Sequence, residues 1–314
     1  MKGLIDKYFA LEKTGLKKKV NVPVLSDIMT VNILRPKMWN VLWRDEMDEA
    51  KWRDFDLARE SLEWDIGRFL TAGEDNLENF KKNLLKKEID YTVIPAGAEY
   101  INDLSGGMEV YLKTLSSNSR KNLLKKVRKV QHLSPQLKEF EGENRIETFL
   151  ELFFKHHIDY WKSKGQPSYF ENLNEQLFIT EYAKNLEKSG QLVLKGLYFD
   201  DTLVHMAISM NAHPYEYGMM VTCTGEYQEY YPGIVDVYYL LEEVVNRGVR
   251  YYNTGPGNYQ YKVQSATHCI PRYEIVITNK QSLKAKAYAH WLTHQLQKTE
   301  DELPSVKKTP VFFE

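Results

Sequence analysis

The amino-acid sequence predicts an α+β (or α/β) fold in two lobes, with helices flanking a mixed, mostly antiparallel central sheet. The chain has 314 residues, more than one domain usually holds, so two packed lobes are the default expectation. Hydrophobic residues make up 43% and charged residues 27% of the sequence, which is typical of a globular protein with a sizeable core. In the second half, helical and strand patterns alternate in an order that indicates a sheet with helices packed on it.

The first lobe is expected over residues 1–135, and its beginning reads as mixed α/β. Helical and alternating spacings of apolar residues predict, in order, strand 31–34, helices 45–65 and 76–87, and strand 89–94. The last of these strands is expected to stop at Pro95, because proline has no N–H to donate to a sheet.

The first lobe is predicted to end in a basic helix. Hydroxyl and amide side chains over 116–119 are good N-caps, and the helix is expected to run to about Val130. One face is apolar, whereas the other carries cations and no acid: Arg120, Lys121, Lys125, Lys126, Arg128 and Lys129. Such a face is either solvated or in contact with phosphates. These phosphates would belong to the nucleotide of a donor molecule or to a phosphorylated or tRNA-linked substrate. Arg120 directly follows the capping run and is the candidate for a ligand contact.

A second lobe over 136–280 holds most of the regular structure, and 281–314 is expected to form a C-terminal helix and a tail. Turn residues at 200–201 and 212–215 join three strands into an antiparallel meander. A loop over 224–231 follows, and the helix after it ends at Gly248 as a left-handed cap. The predicted elements are helices 146–163 and 174–188, strands 192–199, 203–212 and 217–223, helix 232–247, strand 249–253, short helix 259–265 and strand 270–278.

Composition and charge exclude several classes of protein. The formal net charge of −1 argues against a surface built as a whole to attract polyanions, so a phosphate or nucleic-acid site has to be local. The two cysteines, Cys223 and Cys269, form no CxxC pair, so neither a disulfide framework nor a metal site is expected. Charges interrupt the N-terminal residues before a signal peptide's apolar core, and no run is long enough to span a membrane. We therefore expect a cytoplasmic protein without membrane association.

Three segments of the second half resemble the motifs of one enzyme superfamily. Residues 119–126 (SRKNLLKK) resemble the serine- and arginine-containing basic helix of CelD-like relatives of the FemABX proteins. Residues 230–233 (YYPG) are similar to that group's entry to the central helix, and Gly248 with 253–262 (NTGPGNYQYK) is similar to its next segment. The ordered set, over roughly 100–280, resembles the GNAT superfamily of acyltransferases, in its two-lobed FemABX/CelD-like branch.

The resemblance implies a donor and an acceptor. The donor is expected to be acetyl-CoA or another acyl-CoA, with no metal, and the acceptor an amine or hydroxyl of a small molecule, sugar or peptide. In this superfamily the nucleophile attacks the thioester directly, and the first lobe is expected to be a degenerate copy of the second. The loop before helix 232–247 is the natural donor site, because a helix N-terminus attracts a pyrophosphate. The expected donor-binding residues are Val221, Cys223, Tyr231, Pro232, Gly233 and Arg120.

Candidate catalytic residues lie on several elements of the second lobe. Lys262 is expected to hold an acceptor phosphate or carboxylate, or to offset charge on the carbonyl oxygen. Tyr261 is the candidate proton donor to the leaving thiolate, in competition with Tyr259, and a backbone N–H around 221–223 is the candidate oxyanion donor. His205 and Glu226 are the two candidates for the general base. The structural alternatives are a solvated lysine, a packed tyrosine, a core histidine and a solvated loop acid.

Two other functions stay open at the level of the sequence. One is a FemABX-like transferase that uses aminoacyl-tRNA and a cell-wall precursor; the near-neutral charge and the lack of a long helical-arm insertion argue against it. No other nucleic-acid partner is expected. The second is a non-catalytic binding protein with a GNAT shell, which fits a donor loop without the usual glycine signature and Asn253 where relatives have an acid. The sequence does not predict an oligomeric state.

Overall fold

The computed structural model describes residues 65–256 and 259–279, the backbone of 17–24 and 27–34, and single positions at 52, 56, 60, 282, 283 and 285–287. The chain forms two compact units, unit 1 of Met1–Glu99 with Ile270–Glu314 and unit 2 of Tyr100–Cys269. Parallel and antiparallel strands are flanked by helices, so the predicted fold class is confirmed.

The described elements follow one another along the chain as alternating helices and strands. They are β1 (Lys17–Val24), β2 (Asp27–Leu34), β3 (Ile66–Ala72), α1 (Glu74–Lys86), β4 (Tyr91–Asp103), α2 (Gly107–Thr114), α3 (Ser117–Val130), β5 (Gln136–Glu139), α4 (Arg145–Ser163), α5 (Leu173–Lys188), β6 (Leu192–Phe199), β7 (Thr202–Ala212), β8 (Tyr215–Cys223), α6 (Pro232–Asn246), β9 (Tyr251–Pro256), α7 (Gln260–Ser265) and β10 (His268–Thr278). Helix α2 and strands β1, β3 and β5 were not predicted from the sequence, whereas the helices and strands predicted over 146–278 are confirmed.

Unit 1 is a mixed sheet with helix α1 packed on it. Strands β1 and β2 pair antiparallel, β2 runs parallel to β3, and β10 runs antiparallel to β3. Helix α1, predicted over 76–87, buries its apolar face against these strands. The resulting core contains Trp52, Phe69, Leu77, Phe80, Leu84, Ile89, Ile275 and Ile277. Of the helix predicted over 45–65, the described positions 52, 56 and 60 are helical.

Strand β4 is longer than the sequence predicts. It runs from Tyr91 to Asp103, through the proline at which it was expected to stop. Pro95 is exposed and removes only one backbone donor, and Gly97 takes a φ of 83°, so the chain bends locally and then resumes as a strand. The predicted end at Pro95 is therefore wrong, because a proline interrupts one ladder bond and not the whole strand.

Unit 2 contains the predicted meander. Strands β5, β6, β7 and β8 pair antiparallel in sequence, and β8 then runs parallel to β9. Asp200 and Asp201 have φ angles of 47° and 62°, the backbone conformation of a two-residue hairpin turn between β6 and β7. A β-bulge shifts the β7–β8 register between Ile208 and Ser209. A bulge changes the local direction of a strand, and the end of β8 that follows it borders the site described below.

Strands β6 and β7 face two different cores, as expected for a sheet covered on both sides, and a register shift at Val204 changes which residues of β7 face each core. Helices α4 and α5 pack against Leu194, Met206 and Ile208. On the other face, Val235 of α6 packs against Leu197 and Val204. The sheet of unit 2 is therefore sandwiched between the α4–α5 pair and α6.

The basic helix α3 belongs to unit 2. Its N-cap is Ser116, whose side chain accepts a hydrogen bond from the Ser119 N–H at 3.1 Å, as the capping run predicts. Leu123 and Val127 of α3 pack against Leu240 and other apolar residues of α6. The compact units therefore divide the chain differently from the lobes expected at residues 135 and 280, because α3 packs on α6.

Charged side chains tie the C-terminal part of α6 to the sheet. Lys195 of β6, 3% exposed, pairs with Glu243 of α6. Arg247 pairs with Glu243 at 2.6 Å and with the fully buried Glu216 of β8. Gly248 follows with a φ of 76°, the predicted left-handed end of the helix. A buried charge left without its partner is costly, so this end of α6 is held in one position on the sheet.

Candidate active site

The candidate site lies where β8 ends and α6 begins. Pro232 is buried at the first helical position, where its missing N–H costs nothing, and Tyr231 before it has a φ of 56°. The N–H groups of Ile234 and Val235 donate to the Tyr231 carbonyl oxygen at 2.9 and 3.2 Å. The Val235 bond is the first regular bond of the helix, whereas the Ile234 bond takes up one of the first-turn N–H groups that could otherwise face a pyrophosphate.

The end of β8 has an exposed flank. The parallel pairing of β8 with β9 matches Tyr215–Tyr217 with Tyr251–Asn253. Within these two described strands, no residue of β8 after Tyr217 pairs with β9, although β8 continues to Cys223. Val221 is 45% exposed. A ligand can therefore reach the last residues of β8 from the side of β9.

Four side chains or backbone positions converge beside this flank. His205 on β7 and Cys223 on β8 are cross-strand partners. A Cβ built on Gly233 would lie 3.6 Å from both the Cys223 Sγ and the His205 Nε2, so the first turn of α6 rests over the pair. Asp236, one turn on, places its Oδ2 3.1 Å from the His205 Nδ1, and the two side chains are only 3% and 4% exposed.

The structure brings together three residues that the sequence predicts for the site: His205, Cys223 and Gly233. Asp236 was not predicted. The available signal was an acid within the apolar stretch that begins the helix, because a buried carboxylate requires a partner. With Asp236 included, the site contains a histidine whose Nδ1 faces a carboxylate and whose Nε2 faces Gly233.

Burial raises the pKa of two groups beside His205. Burial, and next the charge of Asp236, raise the pKa of the Cys223 thiol to about 11, although the Gly233 N–H acts in the opposite direction. Burial, followed by Tyr259, Asp236 and Cys223, raises the pKa of the Tyr261 hydroxyl to about 12. Both groups therefore keep their protons at neutral pH and are proton donors rather than anions.

A wall of tyrosines lies on the α4 side of the site, formed by Tyr160, Tyr169 and Tyr259. The Tyr169 hydroxyl lies 3.6 Å from the Met220 Sδ, and the Tyr259 ring stacks on Tyr261 with centroids 6.1 Å apart. Burial raises the pKa of Tyr160 and, to about 12, that of Tyr169, with Tyr259 contributing to both shifts. Tyr169 and Tyr259 are 51% and 56% exposed. Such rings suit the ring-shaped or apolar parts of a ligand.

Lys262 of α7 is buried, with its ammonium group beside the end of β9, rather than exposed on the surface. It is 8% exposed, its Nζ donates to the Thr254 carbonyl oxygen at 2.7 Å, and its Nζ lies 5.6 Å from the Tyr259 ring centroid. These contacts hold the backbone of β9 next to the site. The role of Lys262 as a ligand to an acceptor phosphate or carboxylate stays a prediction.

The two candidate bases occupy different surroundings. Glu226 is exposed in the loop after β8 and contributes to the electrostatics of His156 on α4, whose pKa is lowered by burial and by Lys155. His205 is instead enclosed beneath α6 with Asp236. The histidine alone therefore borders Gly233 and Cys223.

Helix α3 brings positive charge to the loop before α6. The Lys126 Nζ lies 4.7 Å from the Tyr231 ring centroid, and the Lys129 Nζ lies 4.7 Å from the Tyr230 ring centroid. Burial lowers the pKa of Lys126. Arg120 lies half-buried in the first turn of the same helix, and its contact with a ligand stays a prediction.

No group of three or more His, Cys, Asp or Glu side chains is placed to hold a metal ion in the part of the chain that the structure describes. Nor does any helix among those residues have the length and hydropathy needed to cross a membrane.

One family model and several solved structures are similar to the chain. Residues 117–263 match a family model described as an acetyltransferase (GNAT) domain, whereas no curated protein matches the sequence. The solved structure of FemX is similar at 11% identity, over 88% of this chain and 91% of that chain, with a TM-score of 0.50. The C-terminal domain of a putative lysylphosphatidylglycerol synthetase from Agrobacterium fabrum is similar at 11% identity, over 91% and 90%, with a TM-score of 0.51. L-PGS from Bacillus licheniformis is similar at 9% identity, over 92% and 91%, with a TM-score of 0.52.

Proposed function

We propose that this chain, whose residues 117–263 match an acetyltransferase (GNAT) domain, transfers an acyl group from acyl-CoA. The acceptor is an amine or hydroxyl of a small molecule, sugar or peptide, and it attacks the thioester carbonyl directly. The thioester lies beside the end of β8, and the acceptor approaches along Tyr160, Tyr169 and Tyr259. The proposal includes a cytoplasmic location, where acyl-CoA is available.

The observation that supports this reaction best is the position of Tyr261 beside Cys223 and the first turn of α6. The Tyr261 hydroxyl, with a pKa raised to about 12, keeps its proton at neutral pH, so a proton is present beside the thiolate leaving group, although the raised pKa makes the hydroxyl a weaker acid. The exposed flank of β8 at Val221 offers backbone N–H groups of 221–223 to the carbonyl oxygen as negative charge develops on it.

The donor's phosphates are assigned to the loop over 224–231 and the adjoining face of α3. Because Pro232 has no N–H and Ile234 already donates to Tyr231, the helix N-terminus contributes mainly through its dipole. Lys126 and Lys129, which lie over the rings of Tyr231 and Tyr230, supply the mobile positive charge. This arrangement uses lysines where other donor loops use a series of glycine N–H groups.

The test is calorimetry with acetyl-CoA and longer acyl-CoAs, followed by a thiol-release assay with panels of amines, amino sugars and peptides. We expect saturable acyl-CoA binding and thiol release that depends on an added acceptor. A protein that binds no acyl-CoA of any chain length would contradict the proposed donor.

The second candidate is transfer from aminoacyl-tRNA to a cell-wall precursor, which the one-sided basic face of α3 favours. Titration with tRNA at low and moderate salt separates the two candidates. A tRNA-dependent enzyme binds tightly, with an affinity that falls steeply as salt rises, because each neutralised phosphate releases counterions. A protein that binds tRNA weakly and also binds acyl-CoA would support the first candidate, transfer from acyl-CoA.

A further inference from the structure

His205 and Asp236 are a buried pair that packing alone does not require. Strand β7 supplies the histidine and α6 supplies the carboxylate, with 3.1 Å between Nδ1 and Oδ2. Neither side chain is more than 4% exposed. Burying a carboxylate and an imidazole costs free energy that two apolar side chains at the same positions would not.

The second ring nitrogen of His205 faces a small niche, which we define as the space beside Gly233 that a side chain there would fill. A Cβ at this position would lie 3.6 Å from the His205 Nε2 and 3.6 Å from the Cys223 Sγ. The niche is therefore bounded by a ring nitrogen, a thiol and the backbone of α6. It lies at the end of β8, where the thioester is proposed to bind.

We propose that His205 is the general base of the transfer reaction and that Asp236 is the positioning residue that orients it; the inference rests on the proposed acyl-transfer function. The carboxylate beside Nδ1 favours the tautomer with its proton there and leaves the Nε2 lone pair directed into the niche. As the acceptor's nitrogen or oxygen bonds to the acyl carbon, its proton passes to Nε2. The carbon–sulfur bond breaks, and the thiolate takes a proton from Tyr261.

The other titratable groups around the niche are unsuited to accept that proton. Burial raises the pKa of Cys223 on β8, of Tyr261 on α7 and of Tyr252 on β9, so all three stay protonated at neutral pH. Lys164, after α4, contributes positive charge at Cys223. The remaining candidate, Glu226, is exposed in its loop and lies among the charges around His156.

The first experiment fills the niche. A methyl group at Gly233 meets its neighbours at ordinary van der Waals distances of 3.6 Å or more, and alanine favours a helix over glycine. We therefore expect Gly233→Ala to keep or raise the melting temperature while kcat falls at least tenfold. A stable Gly233→Ala enzyme with unchanged kcat would overturn the assignment of the niche to the reacting groups.

The second experiment measures the base directly, as kcat/KM against pH for wild type, His205→Gln, Asp236→Asn and Glu226→Gln. General-base catalysis contributes about 100- to 10,000-fold and the residue that orients the base about 10- to 100-fold, so His205→Gln is expected to lose more than Asp236→Asn. The acid limb of the profile should disappear in His205→Gln and shift in Asp236→Asn. Glu242→Gln, on the same helix, is the matched control and should keep the wild-type profile.

Chemical rescue separates a base from a structural residue. Added imidazole should restore part of the activity of His205→Gly, and the restored rate should follow the basicity of a series of substituted imidazoles. Calorimetry with acetyl-CoA on the same variants reports the donor site alone. Loss of the acid limb in Glu226→Gln, or absence of rescue in a folded His205→Gly variant that binds acetyl-CoA, would overturn the inference. Failure of the wild type to bind acyl-CoA would instead contradict the proposed function.

Discussion

His157 on α4 makes the stability of unit 2 depend on pH. Its Nδ1 lies 2.8 Å from the Ser168 Oγ, and its Nε2 accepts a hydrogen bond from the Trp161 indole N–H at 3.1 Å. Burial lowers the pKa of His157 from 6.5 to about 4. Protonation would also place a hydrogen on Nε2 directly opposite the indole donor. The folded protein therefore holds this histidine in its neutral form.

The sign and size of the effect follow from the lowered pKa. Because the unfolded state takes up the proton first, stability is fully present above the unfolded pKa of 6.5 and is lost as pH falls through the folded value. A shift of one pKa unit corresponds to about 1.4 kcal/mol, so this histidine removes up to about 3 kcal/mol between pH 6.5 and pH 4. That amount is a large part of an ordinary domain's stability.

The test is urea unfolding of wild type and His157→Phe at several pH values from 7.5 to 4. Phenylalanine keeps the ring among its aromatic neighbours but loses both hydrogen bonds, so the variant should be less stable by about 1 to 3 kcal/mol at pH 7.5. The gap should close as pH falls, because only the wild type takes up a proton there. His132→Phe, at an exposed position, is the control. A stability difference between wild type and His157→Phe that stays constant with pH would refute the reasoning.

Three further predictions concern the site. Tyr261→Phe should lower kcat at least tenfold with little change in acyl-CoA affinity, measured by thiol release and calorimetry; an unchanged kcat would exclude Tyr261 as the acid. Lys262→Ala should lower both the melting temperature and turnover, because its ammonium group is bonded to the Thr254 carbonyl; Lys262→Met, which keeps the packing, should recover only part of the lost stability. Lys126→Ala should weaken acetyl-CoA binding and make the affinity less dependent on salt concentration. If the affinities of wild type and variant depend on salt to the same degree, the phosphates bind elsewhere.

Local patterns were sufficient to predict most of the described fold. The strands of the meander carry continuous apolar runs bounded by turn residues, and α3 has both an N-cap and an amphipathic face, so each element is encoded in its own stretch of sequence. Pro95 shows the limit of such reasoning. A ladder bond depends on the neighbouring strand, which a single stretch of sequence does not identify.

Local sequence patterns also identified only part of the site. Gly233 and Tyr231 follow from the helix start, and His205 was recognised as a candidate base, but its partnership with Asp236 depends on how α6 lies across β7. The burial of Lys262 likewise depends on contacts between β9 and α7 that the motif does not encode. Residues whose roles are set by tertiary neighbours were the ones missed or misplaced.

Helix α6 is fixed at both ends to the same sheet, by Asp236 at its start and by Glu243 and Arg247 near its finish. Tilting or sliding the helix would break the contact between Asp236 and His205 at one end or the ion pairs of Glu243 and Arg247 at the other. The loop before the helix can therefore change in length or sequence while the helix stays in place. Conversely, neutralising Glu243, far along the helix, would loosen the placement of the residues at its opposite end without touching any ligand.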